Sequence, residues 1–203
     1  MSIPIYRQDA LGAIARNTLE DYDKSLIFGE PRATPIERLV EWLGLILSYY
    51  CIKQDGSILG ETVFNNMKIP VFFRDLTMYD LIPIRAGTII IDDSLLDCIN
   101  DGRLRFTIAH EIAHWLIHQN YYTNAGFIAT RRDPETNPIF KKIEWQANVI
   151  ATNLLMPIHQ VKKAFYGFNG FNCASGYITA KLARLFDVSG EAMGIFLKDH
   201  KLI

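Results

Sequence analysis

Cysteine is scarce in this 203-residue chain: Cys51, Cys98 and Cys173 stand far apart and are odd in number. They make no CxxC pair and no disulfide framework, which points to a reducing compartment. Charge of one sign is also lacking. Lys and Arg total 21 against 22 acidic residues, for a formal net charge of -1. A global electrostatic footprint for nucleic acid or an anionic membrane is therefore absent. Long hydrophobic runs are missing too. The greasiest stretch, Leu43 to Ile52, is broken by Ser48 and two tyrosines and falls well short of the roughly 20 residues that span a bilayer. The first residues, Met-Ser-Ile-Pro-Ile-Tyr-Arg-Gln-Asp, lack the apolar core of a signal peptide. No repeat or low-complexity tract divides the chain. The expectation is a cytoplasmic protein with no membrane partner.

What is present is the balance of a globular domain, with 49% apolar and 21% charged residues. Ala10, Leu11, Ile14, Ala15, Thr18 and Leu19 recur at helical spacing, so a helix is expected over residues 6–24. Thr34-Pro-Ile-Glu37 reads as a capping box, with Pro35 at the first helical position, opening a second helix that should run to about Tyr50. The period then changes. Residues 57–65, 68–75 and 88–92 are short β-branched or aromatic segments, read as a small antiparallel sheet. A short helix is expected at 94–99, a strong one from Arg103 to about Gln119, and a long loop over 120–140. Further helices are expected at 141–155, 157–166, 178–186 and 190–200.

His110-Glu-Ile-Ala-His114 is the most informative stretch. Residues four apart share a helix face, so both imidazoles can reach one ion, while Glu111 points beside it and can take a proton from water. The flanking residues Phe106, Ile108, Ile112, Ala113, Trp115 and Leu116 are apolar, so the helix should be buried. Unpartnered polar groups there cost on the order of 1–3 kcal/mol each, and a metal supplies the reason to keep them.

A catalytic zinc takes three protein ligands and one open position. The residue six after His114 is Asn120, so a third histidine in that place is excluded. His118 extends the series by another turn and lies too far along the axis to share the ion. A carboxylate from a later helix is the other solution. Glu144, opening Glu144-Trp-Gln-Ala-Asn148, is the best candidate, with Asn148 one turn on along the same face. On the residues alone, a solvated glutamate near a helix start remains the default for Glu144.

Arg105-Phe-Thr-Ile-Ala-His-Glu-Ile-Ala-His-Trp-Leu-Ile-His118, followed by Glu144-Trp-Gln-Ala-Asn-Val-Ile-Ala-Thr-Asn-Leu-Leu-Met-Pro157, resembles the ImmA/IrrE family of metallopeptidases. The likeness extends upstream to Gly87-Thr-Ile-Ile-Ile-Asp92 and downstream to residues 182–192, covering about residues 35–203. It implies an α+β, zincin-like fold, with the small antiparallel sheet packed with the HExxH helix and a third-ligand helix. Residues 1–160 would form the metallopeptidase domain with its N-terminal helices, and 161–203 a C-terminal helical subdomain packed on it. The resemblance makes His110, His114 and Glu144 the zinc ligands and Glu111 the catalytic base. It implies cleavage of a protein substrate, a helix-turn-helix transcriptional repressor. The alternative is a non-catalytic zincin-fold module that binds or senses a regulator.

Further features concern partners and transition-state contacts. Leu182 to Leu197 resembles a helix-turn-helix pair in which Ser189 caps the second helix. A DNA reader needs basic and amide side chains early in that helix. This one offers Glu191, Met193 and Gly194, so a structural hairpin without direct DNA binding is expected. Tyr121, Tyr122 and His118 are candidate oxyanion donors, and the loop carrying Arg131 and Arg132 could border a groove. An extended substrate segment is expected to add to an exposed edge of the sheet.

Overall fold

The computed structural model describes residues 5–73, 78–97, 102–125 and 138–203. Within them the chain is α+β, with eight α-helices and two small sheets. The first helix, α1 (Gln8–Tyr22), buries Leu11, Ala15 and Leu19, the stripe expected of it. It is followed by the single turn α2 (Ser25–Phe28) and by α3 (Ile36–Trp42).

Helix α3 ends eight residues before the expected Tyr50. Gly44 sits at φ +73°, and the Leu45 and Gly44 amides donate back to the Val40 and Glu41 carbonyls. This is a C-terminal cap that only glycine adopts without strain. The chain leaves it as strand β1 (Ile46–Tyr50), where aromatic and β-branched side chains pair with a neighbour. The capping box does not form either. Thr34 is buried and its hydroxyl donates to the carbonyl of Leu154 at 2.7 Å, satisfying the end of a distant helix in place of its own.

The expected single antiparallel sheet is a mixed three-stranded sheet and a separate hairpin. In the first, β5 (Thr88–Asp92) lies between β1, parallel to it, and β2 (Gly60–Val63), antiparallel to it. In the second, β3 (Met67–Phe72) pairs with β4 (Tyr79–Ile84), a strand not anticipated from the sequence. The triple isoleucine of β5 explains the layering. Ile89 and Ile91 face the main core, whereas Ile90 faces a second cluster with Ile52, Val63, Ile69 and Ile84, which seats the hairpin on the sheet. In place of the short helix expected at 94–99, a 3-10 turn runs from Asp93 to Leu96, capped by Asp92.

Helix α4 (Arg103–Ala125) runs farther than expected at its C-terminal end. Its Ile108, Ala109, Ile112 and Ala113 are fully buried between the sheet and α5 (Pro138–Leu155). The alanines on α4 face Ala147 and Ala151 of α5 in the same core, and small side chains let the axes approach. Truncating Ile108 or Ile112 to alanine would cost about 2–5 kcal/mol. A third cluster of Phe64, Tyr122, Phe140 and Ile143 pins the far end of α4 to the start of α5. The expected loop residues 120–125 are helical; those at 126–137, with Arg131 and Arg132, lie outside the described residues, as does Cys98.

Helices α6 (Ile158–Gly167), α7 (Ser175–Phe186) and α8 (Gly190–Asp199) complete the order. Their Phe165, Leu182, Phe186, Met193 and Leu197 belong to the same main core as α1, α4 and α5. Ser189 caps α8 by accepting from the Ala192 amide at 3.1 Å. Arg105 links this end to the first half of the chain, donating to Thr34 O at 2.7 Å and pairing with the Asp187 carboxylate at 3.2 Å. Among the described residues, no helix is long and apolar enough to cross a membrane.

Candidate metal centre

Helix α4 delivers His110 and His114 to one face because they are four apart, and α5 lies across that face with Glu144 on its second turn. The His110 and His114 Nε2 atoms are 2.9 Å apart. Glu144 Oε2 is 3.1 Å from His110 Nε2, and its Oε1 is 3.5 Å from His114 Nε2. One ligand atom from each of the three lies within 4.8 Å of the others. The His114 side chain is fully buried, whereas those of His110 and Glu144 retain 14% and 26% exposure, so the cluster opens to solvent on one side.

Two imidazole nitrogens and a carboxylate aimed at one point fit a divalent ion. The Nε2 atoms face each other too closely for both to carry a proton between them, and the donor set is that of a catalytic zinc site. A second grouping, Cys51 with Asp92 and Asp93, is differently employed. Asp92 Oδ2 accepts from the Ile52 amide and Oδ1 from the Ser94 amide and hydroxyl, which is the work of a cap.

The electrostatics follow the packing. Burial alone would raise Glu144, but hydrogen bonds from His110 and His114, with their charges, hold it well below the usual carboxylate range. Burial acts downward on His110, yet the hydrogen bond to Glu144 and the charges of Glu111 and Glu144 carry it above its ordinary value. At His118 the upward pull of Glu144 is outweighed. Burial, then the His114 charge, push it down to about 3.

Around these lies a layer of supporting contacts. His110 Nδ1 is 3.0 Å from Asn148 Oδ1, so the ring Nδ1–H donates to the amide oxygen. On the other side, His114 Nδ1 meets His118 Nδ1 at 3.1 Å, and His118 Nε2 lies 3.5 Å from Gln146 Nε2. The Gln146 Oε1 in turn accepts from the Tyr6 amide at 2.8 Å.

Glu111 is not one of the three converging groups; its carboxylate is held against β2. It is 2% exposed, and the Thr62 hydroxyl donates to the Glu111 Oε2 at 2.6 Å while lying 3.0 Å from the Glu111 carbonyl oxygen. Gly60 makes the room. A Cβ there would stand 2.9 Å from Glu111 Oε1 and 2.6 Å from Thr107 Cγ2. Strand β2 is buried along its whole length, so the exposed edge expected for an added substrate strand is not found on it.

The structure thus brings His110, His114 and Glu144 together and places Glu111 beside them against the sheet. Of the candidate oxyanion donors, His118 and Tyr122 are buried beneath the histidines, Tyr122 stacking on Phe64 with centroids 5.1 Å apart, and Tyr121 is half-buried. Sequence reasoning missed Gly60, Thr62, Gln146 and Tyr6. No local motif marks them, because each acts through a partner at least 28 positions away.

A helix-borne HExxH pair completed by a glutamate from the next helix, on an α+β frame, defines the chain as a member of the metallopeptidase class. Residues 65–198, about two thirds of the chain, match the family of M78 peptidases, described as the IrrE N-terminal-like domain, and the chain belongs to that family. No curated protein matches the chain.

Proposed function

We propose that this protein is a zinc-dependent endopeptidase, with His110, His114 and Glu144 holding the ion and Glu111 as the general base. The observation that carries this reading is the convergence of the three donors within 4.8 Å while Glu111 is held separately by Thr62. A divalent ion held by these side chains supplies acidified water and polarises a scissile carbonyl. The rest is the work of the chain. Asn148 keeps the His110 proton on Nδ1, so that Nε2 presents its lone pair. Thr62 anchors Oε2 of Glu111, leaving Oε1 to hold the proton taken from attacking water and to return it to the leaving amine. The aromatic wall of buried Phe64 and Tyr122 and half-buried Trp115 keeps bulk water from the inner side of the histidines.

The substrate class rests on family resemblance: a helix-turn-helix transcriptional repressor in the cytoplasm. Direct DNA binding is not proposed. In α8, Met193 is buried in the core and the first turn presents Glu191, which suits a packed hairpin better than a base-reading helix.

The test is metal content per chain for wild type, Glu144→Ala and Glu111→Ala, purified without a chelating tag, together with chelator-sensitive cleavage of a co-encoded repressor. Near one zinc per wild-type chain, weakened in Glu144→Ala and retained in Glu111→Ala with cleavage lost, is expected. A well-folded wild type that takes up no added zinc would overturn the reading and favour a non-catalytic interaction module.

A further inference from the structure

We propose that the groove lined by α4, α5 and α8 receives the substrate chain on one side of the bond to be cut, and that it selects an extended segment with basic residues four positions apart. The inference rests on the peptidase reading and gives that site its sequence preference.

The groove begins beside the metal centre. Phe106 and Thr107 line it from α4, about one turn before His110, and Trp145 and Asn148 line it from α5, next to Glu144. Asn148 is also the residue that meets His110 Nδ1 at 3.0 Å. His110 and Glu144 are the two members of the cluster that keep solvent exposure, whereas His114 is fully buried. The open side of the cluster and the groove thus share the same neighbours. From there the lining follows one stripe of α5 through Val149 and Thr152 to Met156. Met156 lies eight residues beyond Asn148, about 12 Å along the helix axis. An extended chain covers that length in about four residues. The volume, about 1120 Å³, lies above the roughly 300–1,000 Å³ of small-molecule sites, so the groove suits a length of polypeptide better than a metabolite.

Charge decides which polypeptide. On α8 the groove is lined by Glu191, Ile195 and Asp199, spaced four apart and therefore on one side of the helix. Both carboxylates are exposed, and among the described residues neither makes an ion pair. Asp199 closes α8 at its C-terminal end, where the helix dipole favours a cation over a carboxylate. The cations that line the groove are already engaged: Arg7 pairs with Asp9 at 3.7 Å, and Arg103 has a partner of its own. The unanswered charges are thus negative and stand about 12 Å apart along α8. In an extended chain residues i and i+4 point the same way and lie about 13 Å apart. A segment with Lys or Arg at those two positions meets Glu191 and Asp199 together, with residue i+2 against Ile195. The alternate positions i+1 and i+3 turn apolar side chains toward Trp145 and Val149 of α5.

The test is binding, read without metal so that it stands apart from cleavage. Amide chemical shifts of the isotope-labelled full chain are followed in chelator during titration with Lys-Leu-Ala-Leu-Lys or Glu-Leu-Ala-Leu-Glu, each acetylated and amidated. Wild type is compared with the double variant Glu191→Lys, Asp199→Lys, both substitutions being at exposed positions outside the metal centre. The basic peptide is expected to bind wild type about tenfold more tightly than the acidic one, the scale of two exposed ion pairs. Shifts should centre on Asn148, Val149 and Ile195, and the preference should invert in the double variant. Should that variant fail to fold, the two peptides on wild type decide. Equal binding of the peptides, a preference unchanged in the folded variant, or shifts away from these residues overturns the assignment. The same residues shifting on concentration of the protein alone would make the occupant a second copy of the chain, which also overturns it. Repressor cleavage by zinc-loaded protein beside any of those results leaves the peptidase reading intact. Peptide selection as expected by a protein that takes up no zinc overturns that reading, and with it the substrate role of the groove.

Discussion

Thr62 and Glu111, 49 positions apart, meet in a 2.6 Å hydrogen bond from the Thr62 hydroxyl to the Glu111 carboxylate. The contact joins the strand lying against α4 to the residue beside His110. Both partners are buried, so the carboxylate has a fixed direction and a single orientation from which to move a proton.

Replacing that hydroxyl by a methyl preserves shape and removes the donor. Thr62→Val should leave zinc content unchanged and lower kcat by about tenfold to a hundredfold, since a hydrogen bond to a charged group contributes about 1.5–3 kcal/mol. Steady-state kinetics beside metal analysis checks this. Full activity in the variant would show that Glu111 is oriented by something else.

Gly60→Ala forces a methyl group to within 2.9 Å of Glu111 Oε1 and 2.6 Å of Thr107 Cγ2. Overpacking of this kind costs about 1–3 kcal/mol. The expected result is a lower denaturation midpoint and a larger loss of cleavage than of zinc, measured on one preparation.

Asn148→Leu removes the acceptor of His110 Nδ1 while filling its volume. Zinc affinity should fall by about 10–100-fold with secondary structure intact. Chelator competition measures it, and unchanged affinity would dismiss Asn148 as a support of the ligand.

His118 governs part of the acid response. Its folded value of about 3 lies below the ordinary 6.5, so the unfolded chain binds the extra proton between those limits. Its contribution is therefore complete above about pH 6.5 and is lost progressively as pH falls toward 3. In chelator, the stability difference between wild type and His118→Gln should shrink as pH drops from 7 to 5, with a limiting slope of about 1.4 kcal/mol per pH unit. Denaturant melts at several pH values supply the measurement, and a difference independent of pH would contradict the shift.

The limits of reading this chain in one dimension show at Thr34 and Gly44. Thr34-Pro-Ile-Glu37 has every residue of a capping box, yet the threonine hydroxyl is taken by Leu154, 120 positions away. A local motif competes with a remote acceptor, and only packing decides between them. Gly44 was a local signal for the end of α3, followed as it is by Ile46 to Tyr50, but a continuous apolar run of that kind suits helix and buried strand alike. Strand β4 carries Pro83, which a two-stranded hairpin tolerates.

By itself the sequence determined what depends on fixed short spacing. The long helices, the shared face of His110 and His114, the adjacent Glu111 and the Ser189 cap all follow from a 3.6-residue period and local hydrogen bonding. It named Glu144 as a candidate but supplied no distance. The tertiary structure decided the rest: that α5 carries Glu144 to 3.1 Å from His110, that β2 offers Thr62 and Gly60 to Glu111, and that Tyr6 reaches His114 through Gln146 and His118. These contacts join elements whose separation along the chain carries no information about their separation in space, and they exist because one shared core holds α1, α4, α5 and the sheet together.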